Sequence, residues 1–129
     1  HCARPSRDGL VYVCDRLNDR VQVFRRDGTF VKEFIVEPLT AANGSVWDMV
    51  LSRDPGQRHL FVADGRNNQI LVLRRETGEV LATFGRPGRQ AGDFHWVHDI
   101  AIDSKGNLYM GEVDTGKRIQ RFVPGAPLP

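Results

Sequence analysis

Two histidines, His1 and His98, stand 97 residues apart, and each precedes a tyrosine by 11 residues, Tyr12 and Tyr109. The matched spacing puts them at equivalent points of a repeating unit. Between them the same alignment sets Val46-Trp47-Asp48-Met49-Val50 against Val97-His98-Asp99-Ile100-Ala101, so the order at this point of the unit is His, Trp, His. Imidazole nitrogen is a ligand for borderline metals. A catalytic zinc takes about three such nitrogens at about 2.0–2.1 Å and keeps a fourth position open. His1 and His98 can supply two, and a third has to come from elsewhere. The alternative is that both are polar residues lining a wet channel. His95 lies in a connection made permissive by Gly85, Gly88 and Gly92, is expected to face solvent, and is not counted as a ligand.

Other polar residues recur with the unit. Asp15-Arg16-Leu17-Asn18-Asp19, Asp64-Gly65-Arg66-Asn67-Asn68 and Glu112-Val113-Asp114-Thr115 occupy one connection three times. Arg16, Arg66 and Asn67 could line a substrate site and receive an anionic group. The recurring Asp and Asn equally suit a structural role, because their side chains bond the backbone two or three residues on and close turns. Arg25-Arg26, Arg74-Arg75 and Arg121 form a second, basic set. Nucleic-acid binding by this band is disfavoured: no aromatic residues interleave the arginines for base stacking, and Asp27, Glu76 and Glu79 lie close enough to neutralise them. Gly-rich phosphate loops, Ser-His-Asp sets and paired-cysteine ligand sets are missing.

These residues need a scaffold, and the repeat supplies one. The run from Leu10 to Phe24, with Tyr12, Asp15, Asn18, Val21 and Val23, returns from Leu60 to Leu73 and again from Leu108 to Phe122, so that Tyr12, Phe61 and Tyr109 are offset by 49 and then 48 residues. Each copy carries apolar runs rich in β-branched and aromatic residues bounded by Gly, Asp and Asn, which predicts short strands and tight turns. The second copy predicts strands near 46–52, 59–64, 69–75 and 79–84. Asp27-Gly28 and Thr77-Gly78 mark the turn into each outer strand, where positive φ is wanted. Four short strands every 40 to 50 residues make a propeller blade. The fold class expected is all-β: a partial propeller of about three four-stranded antiparallel blades, at 1–36, 46–84 and 97–123. The last lacks its outer strand, since Pro124, Pro127 and Pro129 cannot sustain a ladder. The start of each innermost strand then points at the ring axis, where His1, Trp47 and His98 converge. Open sheet edges call for missing blades or a second copy.

Composition excludes little. The 18 Lys and Arg against 16 Asp and Glu give a net charge of +2, too balanced to draw a polyanion or a membrane surface. No apolar run approaches the roughly 18 residues that span a bilayer. The chain opens at His1 rather than Met, inside a predicted strand, so it reads as a fragment. Cys2 and Cys14 are the only cysteines. A tight turn at 6–10 would bring them opposite one another, allowing a disulfide, while a register one residue different would separate them.

The stretch Phe84-Gly85, Gly88, Gly92-Asp93-Phe94, His98 to Asp103, Gly106-Asn107-Leu108-Tyr109 and Arg118 to Phe122 resembles the NHL repeat, as does Gly9 to Phe24 with Asp15-Arg16 and Arg20-Val21-Gln22-Val23-Phe24. All three units match. Among NHL propellers, which close as rings of about six blades, the chain is similar to the peptidyl-α-hydroxyglycine α-amidating lyases and their bacterial relatives. That resemblance implies an axial zinc held by histidines from alternate blades, here His1 and His98, with Asp99 resembling a carboxylate of a structural calcium. It implies a lyase acting on a small carbinolamide, with Trp47 and Trp96 shaping the mouth, and it leans toward a secreted or periplasmic setting. Trp96 departs from the family, where a thioether residue is usual, which opens the substrate to question. The family's turn tyrosine has no counterpart here, so a general base is not supplied by these residues. The rival expectation is a non-catalytic NHL scaffold that binds a protein, peptide or glycan on the same face.

Overall fold

The computed structural model of the chain describes residues 1–125. Eleven strands form three antiparallel sheets. The first holds β1 (Cys2–Pro5), β2 (Leu10–Asp15), β3 (Arg20–Arg25) and β4 (Phe30–Ile35); the second holds β5 (Asp48–Leu51), β6 (His59–Asp64), β7 (Gln69–Arg74) and β8 (Val80–Phe84). The third has β9 (Val97–Ile102), β10 (Leu108–Glu112) and β11 (Ile119–Phe122). Within each sheet the strands lie side by side in chain order, and the first strands of the three sheets pack in sequence, β1 on β5 and β5 on β9. This is the all-β, partial-propeller arrangement. No strand follows β11 among the described residues, and the rest of the proline-broken tail at 126–129 lies outside them.

Local chemistry explains the regularity. Asp19, Asn68 and Lys117, each just before a third strand, adopt left-handed φ values of 51°, 57° and 46°, reversing the chain in a few residues. Gly28 and Gly78 take φ of 89° and 77° in the turn into the fourth strand, which a side chain would resist. The registers Cys2↔Cys14, Asp48↔Ala63 and Asp99↔Gly111 make Cys2, Asp48 and Asp99 equivalent. Their predecessors His1, Trp47 and His98 are therefore equivalent too, as the spacing predicted. The register also joins Cys2 and Cys14 in a disulfide.

Burial follows the pleat. From β6, Leu60 and Val62 pack toward the first blade with Tyr12, Val21, Val23, Met49, Leu71 and Leu73. Phe61 and Ala63 pack toward the third with Ile70, Val72, Phe94, Val97, Ile100 and Met110. A strand covered on both faces reads as a continuous apolar run rather than an alternation, and all six residues of β6 are buried. The third blade's other face is open: Ile119, equivalent to the buried Ile70, is 77% exposed.

Candidate functional site

The inner-strand starts bring three rings together. The His1 and His98 ring centres are 4.9 Å apart in an edge-on arrangement, and Trp47 lies 5.5 Å from His98 and 6.5 Å from His1. Trp96 extends the group, 5.9 Å from Trp47. Trp47 is almost wholly buried, His98 is half-buried and His1 is exposed.

One imidazole has a ring nitrogen hydrogen-bonded and the other has a carboxylate near one of its nitrogens. His1 Nδ1 meets the Trp47 carbonyl oxygen, which can only accept, so Nδ1 carries a proton and, in the neutral ring, Nε2 keeps its lone pair. His98 Nδ1 lies 3.6 Å from the Asp99 carboxylate. Among the described residues neither Nε2 receives a hydrogen bond. A backbone carbonyl or carboxylate at one ring nitrogen, with the other bare, is the state of a metal-binding histidine. Two imidazoles sharing one tetrahedral ion at about 2.0–2.1 Å would have ring centres roughly 5 Å apart, in keeping with the spacing found. The residues fit the group, and the same spacing also satisfies a plain edge-on ring contact.

Trp47 is fixed from several sides. Its indole N–H donates to Gly44 O at 2.7 Å, and the Arg16 guanidinium lies over its ring at 4.0 Å. Arg16 is held in turn by donating from Nε to Asn43 O at 2.6 Å. A cavity of about 510 Å³ lined by His1, Asp15, Arg16, Leu17 and Asn18 opens beside these residues. Trp96 has a left-handed φ of 49°, sparsely populated for so bulky a residue. Its N–H donates to Asn68 Oδ1 at 2.6 Å and its carbonyl accepts from Val113 N, bonds that hold the conformation and aim the ring at Trp47. Strain of this kind concentrates at functional positions.

The other candidates fall elsewhere. Asn67 donates its side-chain amide to Asp64 and Thr40 and its N–H to Asp64, and Asn18 donates to Asp15, so both amides are spent on closing turns. Burial pushes the Asp64 carboxyl up, against the lowering effect of the Asn67 and Gln69 amides. Arg66 is exposed, next to Gly65, whose position lies against the Trp47 ring. His95 stacks on Trp96 and bonds Thr115, one ring further out. In the basic set, Arg74 pairs with Glu79, and Arg75 pairs with Asp8 and donates to Tyr12 Oη, so the acid that neutralises Arg75 is Asp8 rather than Glu76. Cys2, Cys14 and Asp48 lie within 4.8 Å of one another, but the disulfide consumes both thiols and leaves no metal site there.

Sequence pattern missed the role of Asp48. This residue, 3% exposed, receives Arg4 Nη2 on both carboxylate oxygens at 2.6 and 2.7 Å and the backbone N–H of Ile100 at 3.1 Å. Its partners lie 44 and 52 residues away, beyond any local signal. The exposed Asp99 is its equivalent in the third blade.

Comparison with known proteins places the fold. No protein-family model matches the sequence. Among solved structures, a selenomethionine-substituted virginiamycin B lyase from Staphylococcus aureus aligns with 14% identity and a TM-score of 0.60, over 96% of this chain and 41% of that one. A catalytically inactive variant of the Staphylococcus aureus enzyme with quinupristin aligns with 16% identity and a TM-score of 0.63, over 98% and 41%. A streptogramin B lyase aligns with 17% identity and a TM-score of 0.61, over 96% and 40%. These are β-propellers, and at such identities the likeness concerns the fold alone. The chain spans about two fifths of their length.

Proposed function

We propose that the chain is part of an NHL-type propeller with an axial zinc site of lyase type, resembling the peptidyl-α-hydroxyglycine α-amidating lyases, in which His1 and His98 are two of the metal ligands. The observation that carries this is the pair of adjacent imidazoles at equivalent points two blades apart, His1 bonded through Nδ1 to a backbone carbonyl and His98 with the Asp99 carboxylate near its Nδ1. Bound zinc would act there as a Lewis acid that polarises an oxygen of the substrate. Trp47 and Trp96 would bound the mouth and pack on the apolar part of a small carbinolamide or related substrate, excluding water from it. Arg16, already stacked on Trp47, would face the substrate from the cavity side. Asp99 would steady His98 through Nδ1, and calcium is the other role for this exposed carboxylate. The Cys2–Cys14 disulfide suits an oxidising, extracytoplasmic setting.

A second reading, a non-catalytic scaffold, draws on the Trp96–His95 stack at the mouth, an aromatic surface that a peptide or glycan could contact. Metal analysis separates the two. Zinc is measured in the complete protein and in its His98→Ala variant after purification without chelator. The lyase reading expects about one zinc per chain, lost in the variant; two metal-free proteins would leave the scaffold.

A further inference from the structure

We infer that Asp48 is a positioning residue for the axial imidazoles, a clasp that joins three consecutive inner strands one residue from their rings. The inference rests on the axial-site reading for its purpose, though not for its geometry. Asp48 belongs to the middle blade. Its carboxylate takes both bonds from Arg4 of the first blade and one from Ile100 N of the third, and Oδ1 also accepts from its own strand at Met49 N, 2.8 Å. Arg4 adds a bond from Nε to Met49 O at 3.0 Å, so its guanidinium bridges side chain and backbone of the middle strand.

Position gives the clasp its leverage. His1, Trp47 and His98 each precede the register-equivalent residues Cys2, Asp48 and Asp99, so the rings sit about 3.3 Å along the strands from the level of the carboxylate. At that level the first blade contributes the disulfide, whose sulfurs lie within 4.8 Å of the carboxylate. No hydrogen bond runs directly from His1 to His98. The His1 ring bonds the Trp47 carbonyl, so its separation of 4.9 Å from His98 depends on how the middle strand is held against its neighbours, and Asp48 is the residue whose side chain ties the first and third strands to the second. Nη2 reaches both carboxylate oxygens while Nε bonds Met49 O, and these charge-assisted bonds together orient the guanidinium in a way a neutral apolar contact would not.

The test compares two ties across the same seam. Arg75, with Asp8 and Tyr12, also joins the first and second blades, but through the β1–β2 turn and the end of β7, away from the rings. In the complete protein, Asp48→Ala, Asp48→Asn and Arg75→Ala are compared for cobalt(II) and zinc affinity and for the nuclear Overhauser contact between the His1 and His98 ring protons, under conditions where circular dichroism reports a folded sheet. The clasp predicts a 10- to 100-fold loss of metal affinity in Asp48→Ala, the range for removing a group that orients ligands. It predicts a smaller loss in Asp48→Asn, which keeps an acceptor, and a change within about twofold in Arg75→Ala. The ring contact should weaken in Asp48→Ala and persist in Arg75→Ala. Equal affinity and an unchanged ring contact in both Asp48 variants would overturn the inference, as would an equal loss in Arg75→Ala. Should the unmodified protein bind neither ion, the axial-site reading fails, and the ring contact alone still decides the clasp. If Asp48→Ala does not fold, Asp48→Asn and Arg4→Lys carry the comparison.

Discussion

Replacing Gly65 by alanine would add one carbon, and the structure says where it must go. Its Cβ would lie 2.4 Å from Trp47 Cδ2, 2.5 Å from Trp47 Cε3 and 2.5 Å from the Val97 carbonyl oxygen. Ordinary contact begins at 3.4 Å, so something has to give by about 1 Å. The indole cannot slide freely: Gly44 O holds its N–H, Arg16 covers its face, and Trp96 and His98 crowd its edges. Nor can Val97 O retreat without parting the second and third blades. Overpacking of this sort costs about 1–3 kcal/mol, and a backbone obstacle beside a pinned ring argues for the upper half. The sign makes the test sharp. Gly65 does not have a left-handed φ, so with open space around it alanine would stabilise by about 0.4–1 kcal/mol through the unfolded chain alone. Urea unfolding followed by circular dichroism and by tryptophan emission should show the midpoint lowered by about 1 M, with the slope unchanged. Pairing the change with Trp47→Phe should recover part of the loss, because the smaller ring lacks Cε3, and leave the part due to Val97 O. A midpoint that stays or rises in Gly65→Ala would refute the steric account of this turn.

Two further outcomes follow from the same contacts. Reducing the Cys2–Cys14 bond, which closes a short loop of sequence separation 12, should cost about 2–4 kcal/mol in urea unfolding, and Cys2→Ser with Cys14→Ser should reproduce it without reductant. Stability should vary with pH through opposing groups. Burial raises the Asp64 carboxyl above 3.8, so its contribution is present below that pH and declines as pH rises through the folded value; Asp64→Asn should lose less stability between acid and neutral pH than the unmodified protein does. Asp103 is lowered, first by the Asn107 side chain, so it contributes above pH 3.8 and the contribution is lost as pH falls below it; Asp103→Asn should flatten that acid limb. Chemical denaturation at stepped pH values checks both slopes.

What the sequence made legible was whatever repeats or lies close along the chain. The strands predicted at 46–52, 59–64, 69–75 and 79–84 correspond to β5 to β8, because a 49-residue offset carries the turn residues with the apolar runs. The His, Trp, His order at the inner-strand starts came from the same bookkeeping, and the rings do meet. The disulfide stayed open because its pairing depends on the turn, which Ser6 and Gly9 set by backbone bonds and which a one-residue slip would undo. Asp48 was unreadable as a clasp, since the charge that justifies burying it arrives with Arg4 from another blade. The left-handed Trp96 was unreadable for a different reason: no residue preference favours tryptophan there, and the bonds to Asn68 and Val113, with ring contacts to Trp47 and His95, hold it.

The middle blade differs physically from its neighbours in a way that bears on the site. Its strands β6 and β7 are covered on both faces, whereas the outward face of the third blade lies open at Ile119 and the first blade presents exposed Phe30, Val31 and Ile35. The two seams it makes are unlike. Toward the first blade the aliphatic cluster is reinforced by Arg4 on Asp48, Arg75 on Asp8 and Arg7 N on Gln57; toward the third, Phe61, Phe94 and Phe122 do most of the packing, with Arg53 donating to the Ile102 and Asp103 carbonyls. Apolar packing resists separation but tolerates small sliding, whereas a buried carboxylate with directional bonds does not. His1 and His98 both ride on blades with one unsupported face, and neither bonds the other. Any fixed spacing between them is therefore imposed through the middle blade, where the Trp47 carbonyl bonds the His1 ring and Asp48 bonds both flanking strands.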